Sequence, residues 1–129
     1  MSERCFPIST EVGFLQGRDC IFLDTVMQKG CELTLSGELS GALVNKERDW
    51  IPYTFIFYGV IAYRSCELDA YLYSYEDEPT PYSFVQVKES RWIAGVSPQV
   101  DKNTLCHYRV YTYDYVYDIM ATGYEMDIH

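Results

Sequence analysis

The chain has 129 residues, of which 48% are hydrophobic and 22% charged, and its formal net charge is −9. This composition is typical of a globular domain and excludes an intrinsically disordered chain. The excess of acid repels phosphate, which disfavours direct binding to nucleic acid or an anionic membrane and makes a basic protein the electrostatically easier partner.

The first half of the chain predicts antiparallel strands after a mixed segment over residues 1–18. The core anchors expected in that segment are Phe6, Ile8, Phe14 and Leu15. Strands are predicted over residues 19–28 and 31–39, joined by a tight hairpin loop at Lys29 and Gly30, since glycine readily adopts positive φ. In the second strand leucines alternate with polar residues, which indicates one buried and one solvated face.

The middle of the chain predicts a more deeply buried strand. Residues 50–64 are apolar or aromatic at nearly every position, which is typical of a central strand covered on both faces. Gly59 within this run indicates a bulge or the close approach of another element. Residues 66–75 alternate again and predict a strand on which Glu67 and Asp69 project to one face. An acidic loop containing prolines follows over residues 76–81.

The last third contains the one helix signal and two further strands. Ser90 is a suitable N-cap for a short helix over residues 91–96. Residues 107–113 predict a strand, after which Asp114 either begins a turn or continues the strand. The apolar positions change parity at Thr122 and Gly123, so we expect a β-bulge or tight bend there, with Gly123 in the left-handed region. A helix over residues 114–121 is the alternative, which the run of tyrosine, valine and isoleucine disfavours.

Together these segments predict the fold class. The fold is expected to be mostly β (α+β), an antiparallel sandwich or a partly open barrel of about six to eight strands with one short helix. The length predicts a single domain over residues 1–129.

Cysteine usage and hydropathy bear on the compartment. The five cysteines are odd in number, include no CxxC pair and, apart from Cys5, lie in apolar stretches. This pattern is typical of reduced, mostly buried thiols. The sequence shows neither a basic and apolar leader nor an apolar run approaching about 18 residues. It therefore predicts a cytoplasmic protein.

Motifs for cofactor and metal chemistry are absent from the sequence. It has no phosphate-binding glycine loop, no GxSxG, no HExxH and no calcium-loop spacing, so it predicts neither a cofactor nor a metal. The internal histidine, His107, points away from its neighbour Cys106 on a strand, but it is free to meet Cys31 or Cys66 across the sheet.

Paired carboxylates are the remaining candidates for acid–base or metal chemistry. The pairs are Glu67 with Asp69 and Glu125 with Asp127. Two carboxylates on one face can share a proton or bind a hard cation. The alternative is that they form the solvated faces of half-buried strands.

The thirteen tyrosines suggest a surface that binds protein. A tyrosine ring packs on a pleated sheet while its hydroxyl stays solvated, so sheet packing is the simplest explanation. Tyrosines ringed by carboxylates are also typical of protein-binding surfaces. An acidic, tyrosine-rich sheet face is the sharpest functional hypothesis. Its predicted partner-binding residues are Glu67, Asp69, Tyr71, Tyr73, Glu76, Asp77, Glu78, Tyr113, Asp114, Tyr115 and Asp118.

A resemblance supports this hypothesis. The segments SRWIAGV and HYRVYTYDYVYDIMATGYEM resemble the C-terminal part of a group of small bacterial proteins, some of which are similar to immunity proteins of polymorphic toxin systems. The matching positions, all in the C-terminal third, are Trp92, His107, Tyr111, Tyr113, Asp114 and Val116. The resemblance implies no catalytic role for them. It implies a non-enzymatic inhibitor that blocks the basic active cleft of a partner.

Three other functions stay open on the sequence alone. A small-molecule-binding, barrel-like protein would be lined by Phe55, Phe57, Tyr63 and Leu72. A hydrolase or isomerase would use the paired carboxylates. Self-association into a homo-oligomer would use exposed sheet edges.

Overall fold

The computed structural model describes residues 3–44, 48–70 and 80–129. The strands are β1 Arg4–Pro7, β2 Ser9–Thr10, β3 Gly13–Phe14, β4 Ile21–Lys29, β5 Glu32–Ser40, β6 Trp50–Tyr58, β7 Ala62–Glu67, β8 Phe84–Lys88, β9 Cys106–Tyr111, β10 Tyr115–Ala121 and β11 Gly123–Ile128. An α-helix spans Arg91–Ala94, a 3₁₀ helix spans Lys102–Thr104, and residues 68–70 are helical.

Two antiparallel sheets form a sandwich. One has five strands in the order β1-β8-β9-β10-β7, the other four in the order β11-β6-β5-β4, and β2 and β3 form a small separate pair. Their inner faces meet in an aromatic core, where the Phe55 ring lies 4.8 Å from Phe84 and the Phe57 ring 5.4 Å from Tyr108. Offset and tilted rings at these distances are the favoured packing geometries.

The two sheets share a corner where strands pass from one to the other. β6 of the four-stranded sheet continues as β7 of the five-stranded sheet, and β10 continues as β11 in the reverse sense. At the corner Gly59 has φ of 60°, and a Cβ there would lie 2.5 Å from Oγ1 of Thr122. The Thr122 N–H and hydroxyl both donate to the Tyr58 carbonyl, at 2.8 and 3.0 Å. The expected bend at Thr122 and Gly123 is thus confirmed, but the left-handed glycine is Gly59, not Gly123.

The predicted mostly β, antiparallel sandwich with a short helix is confirmed, with more strands than expected. The run over residues 50–64 divides at the corner into β6 and β7. Side chains of β6 alternate between buried and half-buried or exposed, so this strand is not covered on both faces. The strand predicted over residues 66–75 ends at Glu67, because residues 68–70 turn into a helix, and residues 71–79 lie outside the described part.

The N-terminal segment also differs from expectation. It contains β1, β2 and β3, and of its predicted anchors Leu15 is 1% exposed whereas Phe6 and Phe14 are 44% and 49% exposed. Phe14 lies at the end of the small β2–β3 pair and packs edge-on against Tyr82. A pair of two-residue strands offers too little surface to bury the Phe14 ring.

None of the five cysteines forms a disulfide, but fewer of them are buried than the sequence predicts. Cys20 is buried, and burial raises the pKa of its thiol. Cys5, Cys66 and Cys106 are half-buried, and Cys31 is exposed because it lies in the hairpin loop between β4 and β5. The helices within the described ranges are too short and too polar to cross a membrane.

Candidate functional site at the acidic end of the sandwich

Five of the predicted partner-binding residues lie together where β7 ends and β9 turns into β10. Glu67 is paired with Tyr115 across the β7–β10 ladder, and the N–H of Leu68 donates to the Asp114 carbonyl at 2.9 Å. We call the exposed group Glu67, Asp69, Tyr113, Asp114 and Tyr115 the acidic end.

The turn that carries Tyr113 and Asp114 is held closed by Thr112. The backbone N–H and the hydroxyl of Thr112 both donate to the Tyr115 carbonyl at 2.8 Å. The N–H of Tyr115 in turn donates to the Thr112 hydroxyl at 3.0 Å. Tyr113 also donates its N–H to the Ile21 carbonyl of β4 at 2.9 Å. These hydrogen bonds fix the turn against both sheets, so the side chains of Tyr113 and Asp114 project in a defined direction.

Three carboxylates and one guanidinium surround a recess of about 370 Å³ at the acidic end. Its lining residues are Arg18, Glu67, Leu68, Asp69, Asp114 and Tyr115. An Arg18 nitrogen lies 3.9 Å from a carboxylate oxygen of Asp69, a solvent-exposed pair that contributes little to stability. Because one positive charge faces three negative ones, the recess is net negative and favours a cation.

An aromatic surface extends the acidic end toward the other sheet. The Tyr113 ring stacks on Phe22 at 5.1 Å, and Phe22 meets Trp50 edge-on at 5.1 Å. The Arg18 guanidinium lies 5.3 Å from the Tyr113 ring centre, within the range of a cation–π contact. Tyr113, Tyr115 and Trp50 are 40%, 46% and 48% exposed. Trp50 could not be assigned to this surface from the sequence, because its contact with Phe22 depends on how β4, β5 and β6 pair.

Asp118 does not belong to this surface. It is 1% exposed, because β10 turns it to the outer face of the five-stranded sheet beneath the short helix. The prediction that it contacts a partner is therefore wrong for this structure. The other predicted residues, Tyr71, Tyr73, Glu76, Asp77 and Glu78, lie outside the described residues.

Asp118 is instead the centre of a buried polar cluster. One carboxylate oxygen accepts hydrogen bonds from Nε2 of His107 at 2.6 Å and Nε of Arg109 at 2.8 Å, while Nε of Arg64 lies 3.5 Å from the other oxygen. Burial opposes ionisation of Asp118, but the His107 hydrogen bond and the Arg109 charge outweigh it and hold the pKa of Asp118 below its usual 3.8.

Ser90, His107 and Asp118 form a hydrogen-bonded line of the residue types used for nucleophilic catalysis. Oγ of Ser90 lies 2.7 Å from Nδ1 of His107. Here, however, the Ser90 hydroxyl also accepts the Ile93 N–H as the N-cap of the helix, and His107 is completely buried. This hydrogen-bonded line therefore holds the helix onto the sheet. The partner of His107 in the line is Asp118, whereas the sequence suggested Cys31 or Cys66.

The short helix closes over this cluster through Trp92. The Trp92 ring meets His107 edge-on at 5.1 Å, and the Arg64 guanidinium lies 4.5 Å from the Trp92 ring centre. Although it is charged, the cluster is thus packed on one side by an aromatic ring. Of the matching positions of the sequence resemblance, Trp92 and His107 belong to this structural cluster, whereas Tyr113 and Asp114 belong to the acidic end.

One of the two carboxylate pairs differs from expectation. Glu67 and Asp69 do not share a strand face, because the strand ends between them. Glu125 and Asp127 share the exposed face of β11, as predicted, and lie with Glu32 around Tyr58, where a hydrogen bond to Glu125 raises the Tyr58 pKa. We call Glu32, Glu125 and Asp127 the outer patch. In the described ranges no set of three or more histidine, cysteine or carboxylate side chains is arranged to hold a metal ion.

The described residues of the predicted barrel lining are divided between the core and the edge of a sheet. Phe55 and Phe57 are fully buried in the aromatic core, Tyr63 is 37% exposed at the edge of β7, and Leu72 lies outside the described residues. A separate, more apolar recess of about 270 Å³ lies beside the acidic end and includes Leu68, Pro81, Tyr82 and Tyr111.

Comparison with models of protein families, with curated proteins and with solved structures found no match. The geometry of the acidic end is therefore the basis for the functional inference.

Proposed function

We propose that this chain is a non-enzymatic protein-binding domain that docks a basic partner through its acidic end. The observation that carries the proposal is the convergence of Glu67, Asp69 and Asp114 around the exposed ring of Tyr115. These residues come from two strands, a turn and the helical residues 68–70, and their grouping is a product of the fold.

The physical properties of the acidic end suit such a role. Exposed tyrosine and tryptophan rings supply large contact areas at low conformational cost, and binding energy in interfaces concentrates on such residues. The surrounding carboxylates steer a basic partner and reject acidic ones. The Thr112 hydrogen bonds fix the turn in advance, so little ordering is needed when a partner docks.

The resemblance to immunity proteins suggests the kind of partner. An inhibitor of this type would act by covering a basic active cleft of a toxin enzyme. We therefore propose a cytoplasmic, immunity-type inhibitor, whose acidic end occupies a cleft lined by lysine and arginine. Blocking requires no chemistry from the inhibitor, which fits the structural role of Ser90 and His107.

Affinity capture from a lysate of the source organism tests the proposal with two matched variants. Glu67→Gln/Asp69→Asn/Asp114→Asn neutralises the acidic end, and Glu32→Gln/Glu125→Gln/Asp127→Asn makes the same change in net charge at the outer patch. We expect wild type and the outer-patch variant to retain one basic protein in stoichiometric amount at low salt. The acidic-end variant should lose it. Retention by the acidic-end variant, or loss only from the outer-patch variant, would contradict the proposal.

A small-molecule binder is the second candidate, and the recess beside Leu68 and Tyr82 favours it. It predicts a compound that stays bound during purification. Native mass spectrometry that shows only bare protein would remove this candidate.

A further inference from the structure

Among the described residues, β7 has an unpaired edge that ends at the acidic end. It is the last strand of the five-stranded sheet, with β10 on one side and no strand of the described residues on the other. The N–H of Leu68 donates to the carbonyl of Asp114, which lies opposite Leu68 when the β7–β10 register is extended by one residue. In an antiparallel ladder the bonded positions alternate, so Tyr63, Ser65 and Glu67 direct their backbone groups to the free side.

The side chains of the same three residues are also accessible. Tyr63, Ser65 and Glu67 alternate with the residues that face outward beneath the short helix, and all three are exposed. No backbone hydrogen bond within the described ranges reaches the free side of β7. An unpaired edge with accessible side chains is the requirement for binding an extended peptide as an added strand.

An opening between the two sheets runs beside this edge. The Tyr113 N–H bonds to the Ile21 carbonyl at one end of β4, and the Val60 N–H bonds to the Cys31 carbonyl just beyond its other end. Between these two links the described residues leave the margin of the sandwich partly uncovered. Val26 of β4 and Tyr63 of β7 both project from the inner faces, and each is 37% exposed. An added strand at β7 would therefore contact side chains of both sheets.

β7 differs from the edge across the opening in its protection against pairing. β4 carries a register shift between Leu23 and Thr25 and ends in Lys29, both of which are devices that discourage pairing. β7 keeps regular register with β10 throughout and contains neither proline nor lysine. Of these two edges, the one better suited to pairing is thus the one that leads into the acidic end.

We propose that the edge of β7 receives an extended, basic segment of the partner as an added strand. This inference rests on the proposed function and adds its mode of recognition. The charge at the end of β7 favours a basic occupant. Glu67 is the last residue of the strand, and Asp69 and Asp114 lie beyond it around the recess. A lysine or arginine at the end of the added strand would therefore lie in the recess. A second copy of this chain is disfavoured by its net charge of −9.

The test uses a synthetic probe, a blocked peptide about seven residues long in which threonine and valine alternate between terminal lysines. Amide hydrogen exchange is followed by NMR. We expect the peptide to slow exchange at Tyr63, Ser65 and Glu67 only, because Ala62, Arg64 and Cys66 already face β10. The same peptide with alternate amides N-methylated should give no protection.

Two substitutions at one position separate backbone pairing from side-chain contact. Ser65→Pro removes an N–H that faces the free side, so the β7–β10 ladder is kept. Ser65→Ala keeps that N–H while removing the hydroxyl that hydrogen-bonds Tyr117. We expect Ser65→Pro to bind the peptide about tenfold more weakly, and Ser65→Ala to bind within about twofold of wild type. Equal binding by both variants would overturn strand addition.

The remaining outcomes distinguish this inference from the proposed function. Peptide binding that depends on Glu67, Asp69 and Asp114 without protection at Tyr63, Ser65 and Glu67 overturns strand addition and leaves docking at the acidic end intact. Protection along β11, no peptide binding, or protection that grows with protein concentration in the absence of peptide would each overturn strand addition at β7 by a basic segment. The capture experiment still judges the proposed function in all three cases.

Discussion

His107 and Asp118 lie on neighbouring strands with Nε2 of the imidazole 2.6 Å from Oδ1 of the carboxylate, and both side chains are fully buried. Since the carboxylate can only accept, Nε2 carries the shared hydrogen. Arg109 donates to the same oxygen at 2.8 Å. Because these groups are hydrogen-bonded to one another, the cost of burying them is offset only while all three are present.

Removal of the charge on Asp118 is therefore expected to destabilise the fold. Asp118→Asn removes the anion to which both His107 and Arg109 donate, which should lower the free energy of unfolding by about 3 kcal/mol. Urea unfolding followed by tryptophan fluorescence measures the change. Asp69→Asn, which removes a carboxylate from an exposed ion pair, is the control and should cost less than about 1 kcal/mol. Equal effects of the two substitutions would contradict the structural role of Asp118.

The same cluster predicts a dependence of stability on acid. The pKa of Asp118 in the folded chain is below its ordinary value of 3.8, so the unfolded chain binds the proton more tightly. The stabilisation is present above 3.8 and is lost as the pH falls through the folded pKa. The difference in unfolding free energy between wild type and Asp118→Asn should therefore shrink as the pH is lowered into that range. A difference that stays constant would contradict this assignment.

The corner between the sheets predicts that alanine substitution at two glycines will have different effects on stability. Gly59→Ala places a Cβ against Thr122 at a φ of 60°, so we expect a loss of about 2 kcal/mol. Gly123→Ala, one residue beyond Thr122, meets open space at ordinary φ and should change stability by less than about 0.5 kcal/mol. Thermal unfolding of both variants checks the pair, and the reverse ranking would show that the corner is built differently.

Thr112 is expected to matter for binding through the turn it closes. Thr112→Val keeps the size of the side chain but removes its two hydrogen bonds with Tyr115. We expect a loss of about 1 kcal/mol in stability and weaker binding of the partner, because Tyr113 and Asp114 are no longer fixed before docking. Calorimetry of the partner complex and urea unfolding measure the two effects. Unchanged affinity would mean that the turn is not part of the interface.

Much of this fold could be predicted from local pattern. Alternation identified the strand that contains Leu33 and Leu35, Gly30 marked its hairpin, and Ser90 marked the start of the helix. The apolar run over residues 50–64 predicts one strand, because periodicity does not reveal a corner at which the chain changes sheets. The change of parity predicts the bend at the correct position. Which glycine adopts the left-handed conformation, Gly59 or Gly123, depends on which residue lies opposite Thr122.

The candidate site was predictable only in part, for a similar reason. Glu67, Asp69, Tyr113, Asp114 and Tyr115 were chosen as polar and aromatic residues on strand faces, and the fold does bring them together. Asp118 has the same character in sequence, yet cross-strand pairing with Arg64 and Arg109 places it in a buried cluster. Strand register determines which carboxylate is exposed to solvent and which pairs with arginine. The register cannot be predicted from the local sequence alone.

The association rate constant of the captured partner, measured as a function of ionic strength, tests the central claim most directly. Steering by the acidic end predicts that the rate constant of wild type falls steeply as salt is added. Glu67→Gln/Asp69→Asn/Asp114→Asn should associate more slowly at low salt and lose most of that dependence, while the outer-patch variant behaves like wild type. A rate constant and salt dependence unchanged by neutralising the acidic end would contradict the claim that this surface docks a basic protein.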